Sequence, residues 1–249
     1  MTSSKDSRAP SIPGKPSRSR VSTAWRYCSS AVAAPAGAVD RERLVESVEF
    51  RAGRGYQVTY RSDIFARKGY LAGDDRRRAA EMNFYLRSAE VKAIFFARGG
   101  YGTSRIIYRL DLAPLRRHPK IIACYSDITA LLLALQGHPG LTVFHGPFVT
   151  DAPADVTRLL RTVSGGIEPL LISRLRTLRP GRVTAPPTGG HLSLLAPSIG
   201  TPFQVATKKR RPFVAEANEA PYRGDPMVRQ AIMSGQLRGL LGPIVVSFR

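Results

Sequence analysis

Two short apolar runs, each followed at once by a turn or helix signal, constrain the fold of this chain more than any other feature. Val91–Phe96 leads directly into a glycine-rich turn, and residues 120–125 lead into Ser126, Asp127 and an apolar helical stretch that ends near Gly137. Continuous apolar runs of this length are typical of strands buried on both faces. Strand and helix signals that alternate in this way predict an α/β fold with a parallel sheet.

The pattern changes in the second half of the chain, where proline, glycine and threonine become frequent. We predict an N-terminal parallel-sheet domain, followed by a smaller, truncated β-rich domain. The second domain is expected to contain short strands, loops and one late helix that starts at Asp225 and Pro226. The predicted segments are a disordered basic tail at 1–24, an α/β domain at 25–150, a linker at 151–180 and an incomplete β-rich domain at 181–249.

The composition bears on the partners and the cellular compartment that we expect for the protein. Its 38 basic residues outnumber its 18 acidic residues, which gives a net charge of +20 and a field that attracts polyanions without specificity. No recognition motif accompanies the charge, so an arginine-rich surface without a nucleic-acid role is the favoured reading. Non-specific nucleic acid and a homodimer are kept as alternative partners. The two cysteines and the polar N-terminus predict a cytoplasmic protein without a membrane partner.

Ser126 stands where a predicted strand turns sharply into a helix. A hydroxyl at such a junction lies near free backbone amides and the positive end of the helix dipole, which suits acyl transfer. A plain serine N-cap occupies the same position in many helices, and the local sequence alone favours that reading. The neighbouring turn at 98–102 would let backbone amides approach a ligand, although an ordinary tight turn explains its glycines equally well.

The other candidate groups are one glutamate and the four histidines of the chain. Glu216 follows an apolar run, so its carboxylate could orient a histidine, as the acid of a catalytic triad does. Pairing with the surplus basic residues is the favoured alternative. None of the four histidines, His118, His138, His145 and His191, makes metal-ligand spacing with another.

The ordered combination of these segments resembles the LD-carboxypeptidase family, which includes the microcin C immunity peptidases. The resembling stretches are Ala-Pro-Ala-Gly-Ala-Val-Asp (34–40), Gly-Tyr-Leu-Ala-Gly (69–73), Ala-Arg-Gly-Gly-Tyr-Gly (97–102), Tyr-Ser-Asp-Ile-Thr-Ala-Leu (125–131), Phe-His-Gly-Pro (144–147), Thr-Gly-Gly-His-Leu-Ser-Leu-Leu (188–195), Gly-Thr-Pro (200–202) and Asn-Glu-Ala-Pro-Tyr-Arg (218–223). Each motif is weak alone, but their order is specific and reverses the balance for Ser126.

The resemblance implies a serine carboxypeptidase that hydrolyses an L,D-amide bond in murein peptides during peptidoglycan recycling. It implies Ser126 as the nucleophile and Glu216 as the acid that orients the base. The backbone amides of Asp127 and of Gly99 or Gly100 would form the oxyanion hole. The family uses neither a metal nor a cofactor.

Several departures from the family pattern bear on activity. The resemblance puts the family's base histidine beyond the run at 243–248, outside these 249 residues, so weak or absent activity is expected. The register of Glu216 relative to Glu219 differs by one residue from the family's. The alternatives are that His191 or His145 replaces the base, that the protein is a non-catalytic peptide- or nucleic-acid-binding homologue, or that it does not fold stably.

Overall fold

A computed structural model describes residues 29–166, 176–177, 180–217 and 219–248, and the predicted basic tail at 1–24 lies outside these ranges. The main elements, in chain order, are β1 Ser29–Ala33, α1 Arg41–Ala52, β2 Gln57–Thr59, α2 Asp75–Arg87, β3 Val91–Phe96, α3 Thr103–Ile106, β4 Ile121–Cys124, α4 Thr129–Ala134, β5 Val143–His145, α5 Pro153–Val163, β6 Pro187–His191, α6 Leu192–Ser198, β7 Arg211–Glu216, α7 Pro221–Met233 and β8 Ile244–Phe248.

The first five strands form one parallel sheet in the order β2-β1-β3-β4-β5, which confirms the predicted α/β fold. Successive residues of β3 alternate between two cores, because neighbouring side chains of a strand point to opposite faces. Ile94 packs in the core that includes Met82 of α2 and Leu131 of α4. Phe95 packs in the core that includes Leu44 of α1 and Leu159 of α5. Helices therefore cover both faces of the sheet.

The strand order reverses at β1, and this reversal positions the loops that matter for function. The chain leaves β1 towards β2 on one side and later returns to form β3 on the other side. In open parallel sheets, loops at the carboxyl ends of strands diverge at such a point and leave a crevice. Here the loops after β1 and β3 remain tied by one bond, since the Gly37 amide donates to the Gly99 carbonyl at 3.1 Å.

The second sheet is smaller and also parallel, in the order β6-β7-β8. Three features differ from the predicted organisation. Helix α5 lies inside the predicted linker at 151–180, because Val156, Leu159 and Leu160 recur at helical spacing and are buried. Helix α6 was missed as a helix. The late helix begins at Pro221 instead of Asp225, so Pro221 is its first residue and Pro226 lies inside it.

No helix in the described ranges is both long enough and apolar enough to cross a membrane.

Candidate active site

Ser126 adopts a backbone conformation that most residues avoid. It follows β4 through Tyr125 and opens a short 3-10 helix, Ser126–Ile128, with φ of +57°. In the left-handed region a side chain's Cβ crowds the backbone, at a cost of about 1–2 kcal/mol. Such strain persists only where the surrounding fold imposes it, and it is found at the strand-to-helix turns that hold out nucleophilic serines. The conformation favours the nucleophile reading over a plain N-cap, whose backbone is usually extended.

The glycine turn after β3 lies directly against this serine. A Cβ placed on Gly99 would be 2.9 Å from Ser126 Oγ and 3.0 Å from Phe148 Cζ, so only glycine fits without displacement. Both residues open onto a cavity of about 330 Å³ at the carboxyl edge of the first sheet. Its lining includes Asp40, Arg43, Arg98, Gly99, Gly100, Ser126 and Phe148. The structure thus brings Ser126 and the glycine turn together at one hollow.

Three backbone amides near Ser126 have no hydrogen-bond acceptor within the described part of the chain. They belong to Gly99, Gly100 and Asp127, the residues that the sequence analysis selected for an oxyanion hole. Gly100 has φ of +114°, which a residue with a side chain rarely adopts. Amides without an internal partner can donate to a ligand oxygen at little cost, because no existing hydrogen bond must break.

The carboxylate of Asp127 has a contact that the sequence analysis did not assign. Its Oδ2 accepts a hydrogen bond from the Thr103 amide at 2.9 Å, so it holds the end of the glycine turn. Burial raises the pKa of the Asp127 carboxyl, and hydrogen bonding from Thr103 acts in the opposite direction. The aspartate beside the serine therefore connects the serine loop to the glycine turn.

Glu216 lies at the carboxyl end of β7 and is almost fully buried. Its Oε2 accepts from the Ser193 amide at 2.7 Å, and its Oε1 accepts from the Ala217 amide at 2.9 Å. His191, at the end of the adjacent strand β6, is also buried, and its Nδ1 lies 3.4 Å from Glu216 Oε1. Two amide donors fix the carboxylate, so it faces the imidazole in a defined orientation.

A cluster of aromatic rings connects the Glu216–His191 pair to the serine loop. The ring of His191 lies 5.9 Å from that of Tyr125, the residue before Ser126, and 6.0 Å from that of His145. His145 is partly exposed at the end of β5, but burial of its ring lowers the pKa of the imidazole to about 4, and the described residues include no carboxylate in an ion-pair contact with it. The contact between Glu216 and His191 could not be read from the sequence, where the two residues lie 25 positions apart.

Other reactive groups in this region are less suited to catalysis. Burial raises the pKa of the Cys124 thiol well above its ordinary value, which keeps it protonated. Burial likewise raises the pKa of Tyr125 to about 12. Among the residues that the structure describes, no group of three or more His, Cys, Asp and Glu side chains could hold a metal ion.

Comparison with known proteins places this geometry in context. Residues 31–146 match the model of the LD-carboxypeptidase N-terminal domain. A probable murein peptide carboxypeptidase of Bacillus subtilis is 37% identical over 228 residues, which cover 87% of this chain and 71% of the relative. A putative carboxypeptidase of Streptomyces coelicolor is 32% identical over 237 residues, covering 88% of this chain and 74% of the relative.

Solved structures show the same architecture. The muramoyltetrapeptide carboxypeptidase of Oxalobacter formigenes superposes with a TM-score of 0.73 at 25% identity, over 87% of this chain and 75% of its own. The microcin C7 self-immunity protein superposes with a TM-score of 0.76 at 17% identity, over 89% of this chain and 78% of its own. The latter similarity concerns the fold alone.

Proposed function

The chain belongs to the LD-carboxypeptidase family, and on this premise we propose that it removes a terminal D-amino acid from murein peptides with Ser126 as its nucleophile. The observation that carries the proposal is the left-handed backbone of Ser126, combined with the close approach of its Oγ to the glycine turn. A strained serine beside unpartnered amides suits acyl transfer, because negative charge develops on the substrate oxygen as the nucleophile attacks.

The proposed chemistry begins when Ser126 Oγ attacks the carbonyl carbon of the L,D-amide and gives its proton to a base. The resulting oxyanion accepts hydrogen bonds from the Asp127 amide and from the amide of Gly99 or Gly100. Collapse of the tetrahedral intermediate breaks the C–N bond, and the base returns the proton to the leaving amine. Water then attacks the acyl-enzyme by the same route and restores the serine.

We assign the acid to Glu216 and, within the residues described here, the base to His191. With Nδ1 facing the Glu216 carboxylate, the lone pair of the imidazole is on Nε2, where a general base needs it. The carboxylate also stabilises the imidazolium that forms when the proton arrives. The 3.4 Å between Nδ1 and Oε1 is long for a hydrogen bond, and we expect this contact to shorten when the substrate binds.

The substrate assignment is tested with two peptides that differ in one stereocentre. The purified chain is incubated with a murein tetrapeptide that ends in D-alanine and with the matched peptide that ends in L-alanine. We expect release of the terminal residue from the first to be faster by about 10²-fold or more, because the site discriminates through the transition state. Alanine release is followed by mass spectrometry.

Two results would contradict this assignment. Equal rates for the two peptides would exclude an L,D-specific site. Binding of the D-terminal peptide by calorimetry, with no cleavage of either peptide, would instead identify a non-catalytic peptide-binding homologue.

The acid–base assignment predicts non-additive losses. Glu216→Gln and His191→Ala should each lower kcat by about 10²- to 10⁴-fold, and the double variant should be little worse than either single variant, since the two residues act as one unit. His145→Ala is the matched control, because its ring stacks on His191 but has no ion-pair contact with the carboxylate among the described residues. Full kcat in a folded His191→Ala variant would remove His191 from the role of base.

A further inference from the structure

Arg78 is a completely buried cation on α2 that the proposed chemistry does not use. Its guanidinium donates to the carbonyls of Pro35 and Gly102, the latter at 2.7 Å, and pairs with Asp75. Removing a cation from water costs several kcal/mol unless partners replace the lost hydration. The ion pair with Asp75 does not by itself explain the burial of Arg78, because an i,i+3 pair can also form on a helix surface. The hydrogen bonds to two loop carbonyls are the contacts that require a buried guanidinium.

The two carbonyls belong to loops that meet at the candidate site. Pro35 follows β1, and Gly102 closes the glycine turn after β3. Gly102 has φ of +123°, and a Cβ there would lie 2.6 Å from Arg78 Nη1. The end of the turn therefore rests directly on the guanidinium, with no room for a side chain between them.

The peptide group that joins Gly102 to Thr103 is held from both sides. Its carbonyl oxygen accepts from Arg78 at 2.7 Å, and its N–H donates to Asp127 Oδ2 at 2.9 Å. These bonds fix the orientation of the peptide plane, because the amide group is rigid and both of its polar atoms are engaged. Asp127 directly follows Ser126, so the clamp connects the turn to the serine's own loop.

We propose that Arg78 is a positioning residue that, with Asp127, clamps the Gly102–Thr103 peptide and so holds the amides of Gly99 and Gly100 against Ser126. This inference rests on the proposed function, since it gives those amides their role. Arginine suits the position because its planar fork can serve two carbonyls and a carboxylate together, whereas lysine presents a single compact charge.

Arg105 provides a matched control within the same cluster. It shares the carboxylate of Asp75 with Arg78, through bonds of 3.1 and 3.0 Å, but its own side chain is 56% exposed and makes no hydrogen bond to the turn among the described residues. Removing either arginine takes one cation from Asp75. Only removal of Arg78 releases the Gly102 carbonyl.

The experiment compares Arg78→Ala, Arg78→Lys and Arg105→Ala with the wild-type chain, using the D-terminal murein tetrapeptide. We expect Arg78→Ala to lose about 10²-fold in kcat with KM changed less than about twofold, because an oxyanion donor acts mainly in the transition state. Arg78→Lys should lose less, and added guanidinium ion should restore part of kcat to Arg78→Ala only. Arg105→Ala should retain the wild-type kcat.

Amide hydrogen exchange gives a second measurement that does not depend on turnover. Exchange in the segment 99–103 should accelerate in Arg78→Ala and Arg78→Lys and stay unchanged in Arg105→Ala. If Arg78→Ala does not fold, Arg78→Lys carries both measurements.

The outcomes separate this inference from the proposed function. A folded Arg78 variant with wild-type kcat, or with reduced kcat and unchanged exchange at 99–103, would overturn the inference. If the wild-type chain shows no serine-dependent turnover, the proposed function fails. Exchange at 99–103 then decides alone: acceleration confined to the Arg78 variants supports the clamp, and unchanged exchange refutes it.

Discussion

Ser126→Ala is expected to abolish release of D-alanine from the murein tetrapeptide, and Ser126→Gly is expected to do the same while producing the more stable protein of the two. Loss of a nucleophilic serine costs about 10⁴- to 10⁶-fold in rate, because only the binding and oxyanion contributions remain. The stability difference arises from the backbone. At φ of +57° alanine retains the clash of its Cβ, whereas glycine has none.

The expected difference in the free energy of unfolding is about 1 kcal/mol in favour of Ser126→Gly over Ser126→Ala, measured by urea denaturation. Lys209 offers a matched control, since it is the other non-glycine residue with a positive φ, +58°, in the described part of the chain. Lys209→Gly should gain stability relative to Lys209→Ala by a similar amount and leave turnover unchanged. The combination would identify strain at Ser126 as a functional feature and strain at Lys209 as a feature of its turn.

Two results would contradict this prediction. Serine-independent turnover in a homogeneous Ser126→Ala preparation would place the nucleophile elsewhere. Equal stability of Ser126→Gly and Ser126→Ala would mean that the backbone relaxes and that no strain is stored there.

Gly99→Ala is expected to reduce kcat/KM by about 10²-fold. The added Cβ would lie 2.9 Å from Ser126 Oγ, closer than Cβ atoms come to other heavy atoms in proteins, and 3.0 Å from Ser126 Cβ, which is also unusually tight. Either the turn or the serine must move, and both movements change the distance between the nucleophile and the oxyanion amides. Phe148 also restricts the added methyl group, since its Cζ would lie 3.0 Å from a Cβ placed on Gly99.

Gly53→Ala is the control for this substitution. It ends α1 with φ of −61°, and the nearest atom to its added Cβ is 3.5 Å away, so the variant should keep its activity. The measurement is kcat/KM together with the melting temperature, which separates local misplacement from unfolding. Wild-type activity in Gly99→Ala would show that the turn can move freely and would weaken the assignment of its amides.

Much of the fold was predictable because the relevant signals are local. The apolar run Val91–Phe96 is a strand with the predicted bounds, and Asp40 and Asp74 cap α1 and α2 through their side chains. The helices α5 and α6 were not predicted. Helix α5 starts without a side-chain cap, and its start signal, Pro153 at the first helical position, was read as part of a linker. Helix α6 has no side-chain cap and contains Pro197.

In the candidate site, too, the residues with local signals were selected from the sequence, whereas contacts between distant segments were not. Ser126, Glu216 and the glycine turn were selected from the sequence, and their proposed roles remain predictions. The contacts of Arg78 and His191 were not foreseen. A buried arginine within a run of three arginines has no local signature, because its burial depends on a loop 24 residues away. The histidine and its carboxylate likewise become neighbours only when β6 and β7 pair.

The sequence by itself determined the alternation of strands and helices, the family and the serine at the strand-to-helix turn, since each is encoded in residues that are contiguous or in a fixed order. Only the tertiary structure decided that Ser126 takes a left-handed backbone, that Gly99 leaves no room beside it and that Arg78 lies beneath the turn. The physical reason is that strain, exclusion and burial depend on atoms from distant segments, whose approach is set by packing and not by local propensity.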